Sequence, residues 1–360
     1  MAHIGIDARL NYYRVGGIST YTRQLVSALE TLDYDHRYTI FHSRKSQDSL
    51  VKRFDRAALW TPCHHRVERL ALSLELARFR LDVLHSPDFI PPLRGAKRHV
   101  ITVHDLAFLM YPEFMTEESR RYYNDQIRQA VQQADHILAV SEATKHDLVA
   151  MLNVPADKIT VQLEGVDDDF KPLPVETVDV ICRKYDLPTD YFLFVSTLEP
   201  RKNIPGLLNG YAELRRQMPD APPLLLVGKR GWLFDSAVLE REGVIWRENI
   251  PHNDLPAVYN KARALVFPSH YEGFGLPALE AMACGTVPIV SNLSSLPEVV
   301  GEVGIQVEPD DAEALASAML KTLTDESWRE QTQQAALTRA KQFTWARAAQ
   351  VALSVYRAVL

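Results

Sequence analysis

Short, continuously apolar runs alternate along the chain with longer stretches in which apolar residues recur at helical spacing. The runs at residues 3–7, 99–105, 135–141 and 191–197 have the length of strands, and they lack the polar alternation of a strand with one solvent face. Such strands, separated by helices, are typical of a parallel sheet covered on both faces. The pattern predicts an α/β protein with two doubly wound Rossmann-like domains that face each other across a cleft.

A proline-containing stretch at residues 170–176 separates the two sets of predicted strands and indicates a hinge. We therefore predict an N-terminal domain at residues 1–172 and a C-terminal domain at residues 173–343, followed by an amphipathic helix at residues 344–360. Ligands of doubly wound sheets bind beyond the carboxyl ends of the strands. The loops at those ends should therefore carry the chemistry.

The composition is that of an ordinary globular protein, with 360 residues of which 46% are hydrophobic and 24% are charged. Three scattered cysteines exclude a disulfide framework and a structural zinc site. The N-terminus lacks the pattern of a signal peptide, and no apolar run is long enough to span a membrane, so we expect a cytoplasmic protein. A formal net charge of −6 gives no general attraction to nucleic acid, and we expect no such partner.

Two adjacent cations follow the strand predicted near residue 191, in the motif TLEPRKNI. Arg201 and Lys202 would stand beside the N-terminus of the next helix, where the helix dipole disfavours positive charge. A negative ligand such as a diphosphate would resolve that mismatch, because it is attracted to both cations and to the helix end. The alternative is a solvated loop in which the cations pair with Glu199 on the surface.

The segment PSHYEGFGLPALEAMACGTVPIVSN, residues 268–292, is the most specific motif. Glu272 is predicted in a loop, and Glu280 lies eight residues later near the end of the first turn of a helix that Pro277 would open. Both carboxylates could then accept hydrogen bonds from the vicinal hydroxyls of one ligand. Backbone amides between them could reach polar ligand groups: those of Phe274, Gly275 and Leu276.

Two motifs of the N-terminal half also end predicted strands. In VGGIST, Gly16 and Gly17 precede a helix, and their backbone could approach a ligand closely, although a tight turn explains them equally well. The spacing is not GxGxxG, so a nicotinamide cofactor has little support. In TVHDL, His104 and Asp105 end a buried strand, where the imidazole could hold a sugar hydroxyl; a structural histidine is the alternative.

Together these motifs resemble the retaining glycosyltransferases of family four, also described as glycosyl transferases group 1, which have the GT-B fold. The resemblance covers nearly the whole chain and is strongest at residues 194–309; in the N-terminal half it includes GGI, VHDL and AVSEATKHDL. The EPRKN spelling is similar to that of bacterial enzymes that build lipopolysaccharide and other surface glycans, mannosyltransferases among them. The resemblance implies transfer of a hexose, of the mannose or glucose type, from a nucleoside-diphosphate sugar to a glycan, lipid-linked or small-molecule acceptor.

The resemblance also implies a role for each site residue. Arg201 and Lys202 would neutralise the donor diphosphate, Glu280 would hold the nucleotide ribose, and Glu272 would hold the hydroxyls of the transferred sugar. The other implied donor contacts come from Gly16, Gly17, His104, Asp105, Phe274, Gly275 and Leu276. It implies no cofactor and no metal, and a final helix that crosses back to the N-terminal domain.

A basic segment at residues 64–80 carries Arg66, Arg69, Arg78 and Arg80, within a stretch, residues 36–100, of 13 basic and 6 acidic residues. One interpretation is peripheral docking on the anionic inner face of a membrane, where a lipid-linked acceptor would lie. The favoured interpretation is a helix whose apolar face packs on the sheet: the face of Val67, Leu70, Leu74 and Ala77.

Other functions and sites stay open. A sugar-nucleotide epimerase of the same fold or a non-catalytic nucleotide-sugar-binding protein would share the donor motifs, although an intact set of charged residues argues against a degenerate site. A phosphorylase would need the context of a pyridoxal-phosphate lysine, which is not recognisable here. The acidic run at residues 167–169 is interpreted as a turn, and His64 with His65 lacks partners at metal-ligand spacing.

Overall fold

The computed structural model describes residues 1–13, 16–65, 67–115 and 117–360. The chain divides into two compact units. Unit 1 contains residues 1–109, 118–165 and 344–360, and unit 2 contains residues 110–117 and 166–343. The predicted boundary at residues 172 and 173 lies a few residues beyond this division, and Val15 and Arg66 of the predicted motifs lie outside the described residues.

Unit 1 is built on a seven-stranded sheet in which all neighbouring strands are parallel. Its strands are β1 (His3–Asp7), β2 (Arg37–Ser43), β3 (Asp55–Leu59), β4 (Leu81–Ser86), β5 (Ala96–Val103), β6 (His136–Ala139) and β7 (Ile159–Val161). The order β3-β2-β1-β4-β5-β6-β7 reverses direction between β1 and β4. That reversal is the topological switch point, where doubly wound sheets bind their ligands.

Helices cover this sheet, and most residues of its central strands are therefore buried. They are α1 (Leu10–Tyr13), α2 (Gly17–Leu32), α3 (Glu68–Leu76), α4 (Ala107–Met110), α5 (Glu117–Gln133), α6 (Glu142–Leu152) and, from the end of the chain, α14 (Trp345–Val359). Ser141 begins α6 by accepting a hydrogen bond from the Thr144 amide, as the sequence predicts.

The C-terminal helix α14 is part of the core of unit 1. Its apolar stripe, which includes Ala349, Ala352 and Tyr356, is buried with residues of α2 and β1. The Tyr356 hydroxyl also meets the Nδ1 atom of buried His85 at 2.6 Å. The last helix therefore completes the unit that begins the chain, and the hydrophobic burial holds it there.

Unit 2 contains a second parallel sheet, of six strands: β8 (Phe192–Val195), β9 (Leu224–Val227), β10 (Val244–Arg247), β11 (Ala264–Phe267), β12 (Val287–Ser291) and β13 (Ile305–Val307). The order β10-β9-β8-β11-β12-β13 places the switch point between β8 and β11. Its helices are α7 (Val175–Lys184), α8 (Ile204–Gln217), α9 (Leu255–Lys261), α10 (Leu276–Ala283), α11 (Leu296–Val300), α12 (Ala312–Thr324) and α13 (Glu326–Ala340). The predicted pair of doubly wound parallel sheets is thus confirmed.

Residues 110–117 come from the N-terminal half of the sequence but belong to unit 2. The Trp232 indole N–H donates to the Phe114 carbonyl at 2.5 Å. The rings of Tyr111 and Phe114 stack on each other, and they also approach Tyr271 and His270, each with 5.9 Å between ring centroids. The assignment of residues 110–117 to unit 2 could not be predicted, because their partners lie more than a hundred residues further along the chain.

Candidate active site

Three of the predicted site residues meet at the switch point of unit 2. Lys202 is on the loop that follows β8, and Glu272 is on the loop that follows β11, the neighbouring strand. The Lys202 ammonium donates to both oxygens of the Glu272 carboxylate, at 2.6 and 2.8 Å. Arg201 Nη1 donates to the same carboxylate at 2.9 Å and to the Tyr271 carbonyl at 3.0 Å.

Glu199 extends this cluster, since its carboxylate lies 2.7 Å from Arg201 Nε. Glu199, Lys202 and Glu272 are each at most 5% exposed, whereas the Arg201 side chain keeps a fifth of its surface in solvent. The expected pair between Arg201 and Glu199 is therefore present, but it is buried and is no surface contact. We call these four residues the ion cluster: Glu199, Arg201, Lys202 and Glu272.

Burial and the neighbouring charges together set the pKa values of Glu272 and Lys202. Burial would raise the pKa of Glu272, but the Lys202 and Arg201 charges and their hydrogen bonds outweigh it, so the pKa of Glu272 is lowered and the group is ionised. Burial and the neighbouring Arg201 lower the pKa of Lys202 below its ordinary value, against the opposing effect of Glu272 and Glu199. The cluster thus holds two cations and two carboxylates in a site with little water.

Local backbone chemistry fixes the two loops that carry the cluster. Pro200 begins a single 3₁₀ turn, and Asn203 ends it in the left-handed conformation with φ 54°. The Asn203 side chain then caps α8 by accepting a hydrogen bond from the Gly206 amide at 3.0 Å. On the other loop, the Ser295 hydroxyl reaches the carbonyls of Glu272 and Phe274, at 2.9 and 2.7 Å.

The helix α10 begins directly after this second loop. Gly275 precedes it with φ 109°, a conformation that suits glycine, and a side chain there would meet Leu296 at 2.7 Å. Phe274 is buried against Phe343, with 6.0 Å between ring centroids, so its backbone and not its ring can face a ligand. Leu276 is the first residue of the helix and is partly exposed.

Glu280 lies in a different environment from Glu272. It is the fifth residue of α10, just past the predicted position near the end of the first turn, and it accepts a hydrogen bond from the Tyr259 hydroxyl at 2.8 Å. Burial raises its pKa, and the Asp167 charge adds to that effect, while Tyr259 and His252 lower it. The two carboxylates therefore belong to separate hydrogen-bonded groups.

In unit 1, His104 directly follows β5 and is held by two partners. Its Nε2 donates to the Pro87 carbonyl at 2.9 Å, and its Nδ1 lies 3.3 Å from the carboxylate of buried Glu164. Burial would lower the pKa of His104, but the hydrogen bond and charge of Glu164 outweigh it and raise the pKa. A ligand that takes a hydrogen bond from this ring must share one of these two nitrogens.

The other predicted residues of unit 1 lie at helix starts. Asp105 accepts a hydrogen bond from the Ala107 amide at 3.0 Å and so begins α4. Gly16 and Gly17 are exposed at the N-terminus of α2, and a side chain added at either would meet nothing within 4 Å. The surroundings are thus open enough for a ligand to approach closely, and the Gly16 amide itself donates to the Ser19 hydroxyl at 3.0 Å.

Metal binding has no geometric support within the described parts of the chain. Those parts contain no group of three or more side chains that could hold a metal ion, counting histidine, cysteine, aspartate and glutamate. Asp167, in the acidic run, approaches His252 at 3.9 Å. His64 pairs with Asp88 at 2.7 Å.

Comparison with known proteins assigns the family. Residues 184–339 match the family model described as "Glycosyl transferases group 1", and residues 15–170 match "Glycosyltransferase Family 4". O-antigen chain mannosyltransferase B of Escherichia coli is 34% identical over 96% of this chain and 97% of its own length. The chain belongs to the family 4 glycosyltransferases. It is therefore an enzyme that transfers a glycosyl group.

Two further matches fit this assignment. The serotype-specific mannosyltransferase WbdA of Escherichia coli is 32% identical over 72% of this chain, which spans 33% of that longer protein. The crystal structure of HepE from Anabaena in complex with UDP and glucose has a TM-score of 0.78 with 16% identity, and covers 99% of this chain and 100% of its own. The structural likeness confirms the GT-B fold of the glycosyltransferase.

Sequence reasoning missed several residues of the glycosyltransferase that the structure adds to these groups. Glu164 follows β7 and reaches His104, and Tyr259 on α9 reaches Glu280. The Phe114 ring lies beside His270, whose amide donates to the Arg201 carbonyl at 2.9 Å, and the Tyr111 ring lies beside Tyr271. For these missed residues the only sequence signal was the position of Glu164, an acidic residue shortly after the strand β7. The predicted site residues also follow strands, so this position could have identified it.

The basic segment of the glycosyltransferase differs from the favoured interpretation. Its helix, α3, is shorter than residues 64–80 and buries the opposite face, with Leu72 and Leu76 in the core. The face predicted to pack on the sheet is solvent-exposed: Val67, Leu70, Leu74 and Ala77. The wrong face was predicted because residues 64–80 carry two apolar stripes. The buried stripe, with Leu72 and Leu76, is the shorter of the two.

Proposed function

We propose that the enzyme transfers a hexose, of the mannose or glucose type, from a nucleoside-diphosphate sugar to a glycan or lipid-linked acceptor, with retention of anomeric configuration and without a metal. The observation that carries the proposal is the ion cluster at the switch point of unit 2. Arg201 and Lys202 provide two fixed positive charges where a doubly wound sheet binds its ligand. The diphosphate of a sugar nucleotide is the ligand that such charges suit.

The chemical step that we propose places new negative charge beside those cations. The bond between the sugar C1 and the donor phosphate oxygen breaks, and a bond from C1 to the acceptor oxygen forms on the same face. The acceptor hydroxyl gives its proton to the departing phosphate. Arg201 and Lys202 stabilise the leaving diphosphate in a buried, preorganised site, where such interactions are stronger than in water. Glu272 orients both cations, and we assign it the role of accepting hydrogen bonds from the sugar hydroxyls.

The names of the relatives support mannose as the sugar and a bacterial surface glycan as the product. Two of them are described as mannosyltransferases, and one as acting on the O-antigen chain. HepE was solved in complex with UDP and glucose, so a UDP-sugar is the alternative donor. An epimerase and a non-catalytic binding protein are the competing functions.

A donor panel tests the proposal. The full chain is incubated with GDP-mannose, UDP-glucose or ADP-glucose and a lipid-linked mannose-terminated glycan, with and without EDTA. We expect acceptor-dependent transfer from one donor, an α-linked product from an α-linked donor by NMR, and no loss with EDTA. Nucleotide release that ignores the acceptor would favour the epimerase. A strict requirement for a divalent cation, or an inverted linkage, would contradict the mechanism.

A second part of the proposal concerns an exposed apolar surface of unit 1. Leu70 and Leu74, which are 58% and 75% exposed, line a shallow groove with Leu93. Arg80, Arg94 and Lys97 border the same groove. We call these six residues the apolar-basic surface. Leucines ringed by cations fit the boundary of an anionic bilayer, where each cation contributes about 1 kcal/mol of attraction.

We therefore propose peripheral contact with an anionic membrane, where a lipid-linked acceptor would be held. No helix in the described ranges is both long and apolar enough to cross a bilayer. Flotation tests this contact with vesicles of phosphatidylcholine that contain either no phosphatidylglycerol or about 30% of it. The anionic lipid gives the vesicle surface a negative potential, which attracts the cations of the apolar-basic surface. We expect Leu70→Ser with Leu74→Ser to lower the bound fraction, and Leu233→Ser, an exposed leucine of unit 2, to leave it unchanged. Equal binding by all three proteins would contradict the assignment.

A further inference from the structure

A second polar pocket lies at the switch point of unit 1. Asp7 ends β1 and Ser86 ends β4, the two strands between which the sheet reverses direction. With Arg9, Glu68 and Asp88 they line a pocket of about 20 Å³, room for one water-sized group. The pocket therefore occupies in unit 1 the position that the ion cluster occupies in unit 2.

Most of the charged groups around this pocket are already held by one buried guanidinium. Arg9 is 1% exposed, and it donates to both oxygens of Asp7 at 2.9 and 2.7 Å. It also donates to Glu68 at 2.8 Å and to the Thr61 carbonyl at 2.7 Å. These bonds fix the wall of the pocket and leave Arg9 no role as a free cation.

Ser86 is the group that points to a ligand. It is 2% exposed and lines the pocket, yet its hydroxyl has no hydrogen-bond partner among the residues that the structure describes. A buried hydroxyl without a partner costs free energy, and a bound group that supplies one recovers it. Asp88, beside it, keeps 17% of its side chain exposed and accepts from His64 Nε2 at 2.7 Å.

The charges select the chemistry of that ligand. Three carboxylates, Asp7, Glu68 and Asp88, line the pocket with one guanidinium and the His64 imidazole, so acidic groups outnumber basic ones and an anion is disfavoured. A hydroxyl group suits it, because a hydroxyl can accept from Ser86 and donate to a carboxylate at the same time. The small volume admits one such group and excludes a whole sugar ring.

We propose that this pocket binds a hydroxyl group of a neutral acceptor sugar, with Ser86 Oγ and the Asp88 carboxylate as its partners. The inference rests on the proposed transferase function, to which it adds the acceptor: an uncharged sugar and not a phosphorylated or acidic one. Unit 1 then recognises the acceptor at the same fold position at which unit 2 recognises the donor.

Direct binding tests the pocket without using activity. Saturation-transfer NMR on the full chain uses methyl α-mannoside, mannose 6-phosphate and mannosamine as probes. We expect the neutral probe to bind and the phosphate to be excluded. Ser86→Val, which fills the pocket, should weaken that binding about tenfold, the upper range for one hydrogen bond. Ser49→Val, an exposed serine of the same unit, should not change it.

Two results of this experiment would overturn the inference. Binding of methyl α-mannoside that survives Ser86→Val but is lost in Lys202→Met would place the sugar in unit 2. Binding of mannosamine alone would make the pocket a cation site. Because these readouts need no turnover, they separate the failure of the inference from the failure of the transferase proposal.

Kinetics supply the second arm. At saturating donor, Ser86→Ala should raise the acceptor KM about 2- to 12-fold, the range for one hydrogen bond, and leave the donor KM unchanged. Its melting temperature should not fall below the wild-type value, because Ser86 Oγ gives up no bond to a described residue and an unsatisfied buried hydroxyl is removed. An unchanged acceptor KM in an active enzyme, or an equal rise in both KM values, would contradict the assignment.

Discussion

The Lys202–Glu272 pair allows the structural and catalytic roles of the ion cluster to be separated. Replacing Lys202 by Met removes the ammonium but keeps much of its volume. Glu272 is then left buried with Arg201 as its remaining cation, at 2.9 Å. Removing one partner of a buried pair costs about 3–5 kcal/mol. Since Arg201 remains, we expect a loss of about 3 kcal/mol, at the lower end of that range.

The double replacement should cost little more than either single replacement, instead of the sum of the two. Glu272→Gln alone leaves Lys202 with its ammonium buried and only more distant carboxylates around it, at a cost of similar size. When both charges are removed, neither group is left uncompensated, and neutral replacements of buried pairs are often tolerated. We therefore expect the double variant to be about as stable as either single variant, which corresponds to a coupling energy of about 2–3 kcal/mol.

Thermal and urea unfolding of the full chain measure these changes. A loss of about 3 kcal/mol should lower the melting temperature of unit 2 by about 6–12 °C. Because two units need not unfold in one step, unfolding is followed by both circular dichroism and fluorescence, and free energies are compared only where the two transitions coincide. Lys341→Met, at an exposed lysine of the same unit, serves as control and should stay within about 0.5 kcal/mol of wild type.

Catalysis should not follow stability in this cycle. The double variant should be about as stable as the single variants but should lack turnover, because the diphosphate still lacks the Lys202 charge. Two results would refute the reasoning. Losses that simply add, to about 6 kcal/mol in the double variant, would mean that the pair is not coupled. Recovery of turnover in the double variant would mean that Lys202 serves the fold and not the donor.

Three further predictions follow from single groups. Burial lowers the pKa of His85 from 6.5 in the unfolded chain to about 3 in the fold. Its contribution to stability is therefore present above pH 6.5 and is lost as the pH falls towards 3, by about 1.4 kcal/mol per pH unit. Urea unfolding of His85→Gln should lack this part of the acid dependence. Glu164 raises the pKa of His104, so that pair stabilises the fold below pH 6.5 and loses its effect as the pH rises through the raised pKa; Glu164→Gln should abolish the alkaline loss in the same assay. Gly16→Ala should leave the melting temperature unchanged, because its backbone is extended and its surroundings are open, but should weaken nucleotide binding in a thermal-shift titration if Gly16 approaches the diphosphate.

The fold was predictable because its signal is local. A strand buried on both faces, such as β8 or β11, is apolar along its whole length, so it can be recognised without knowledge of its neighbours. The loops that carry chemistry were predictable for a related reason, since they directly follow such strands. Arg201, Glu272 and His104 were all identified in this way.

The partners of those residues were not predictable from the same signals. Lys202 and Glu272 are 70 residues apart, and they meet only because β8 and β11 are neighbours in the sheet. Glu164 reaches His104 across β6 in the same manner. The exposed face of α3 was wrongly predicted because hydrophobicity alone cannot distinguish a stripe that meets the core from one that meets solvent.

The two switch points show how one topology can support different recognition. In unit 2, two cations balance two carboxylates, so an incoming diphosphate meets a site with no net charge and with a partly exposed guanidinium. In unit 1, three carboxylates outnumber one fully engaged guanidinium, so an anion is disfavoured and a hydroxyl is suited. Strand order fixes where each ligand binds, but the side chains after the strands decide what it is. A donor that carries charge and an acceptor that carries none can therefore be recognised by equivalent positions of the same fold without competing for one site.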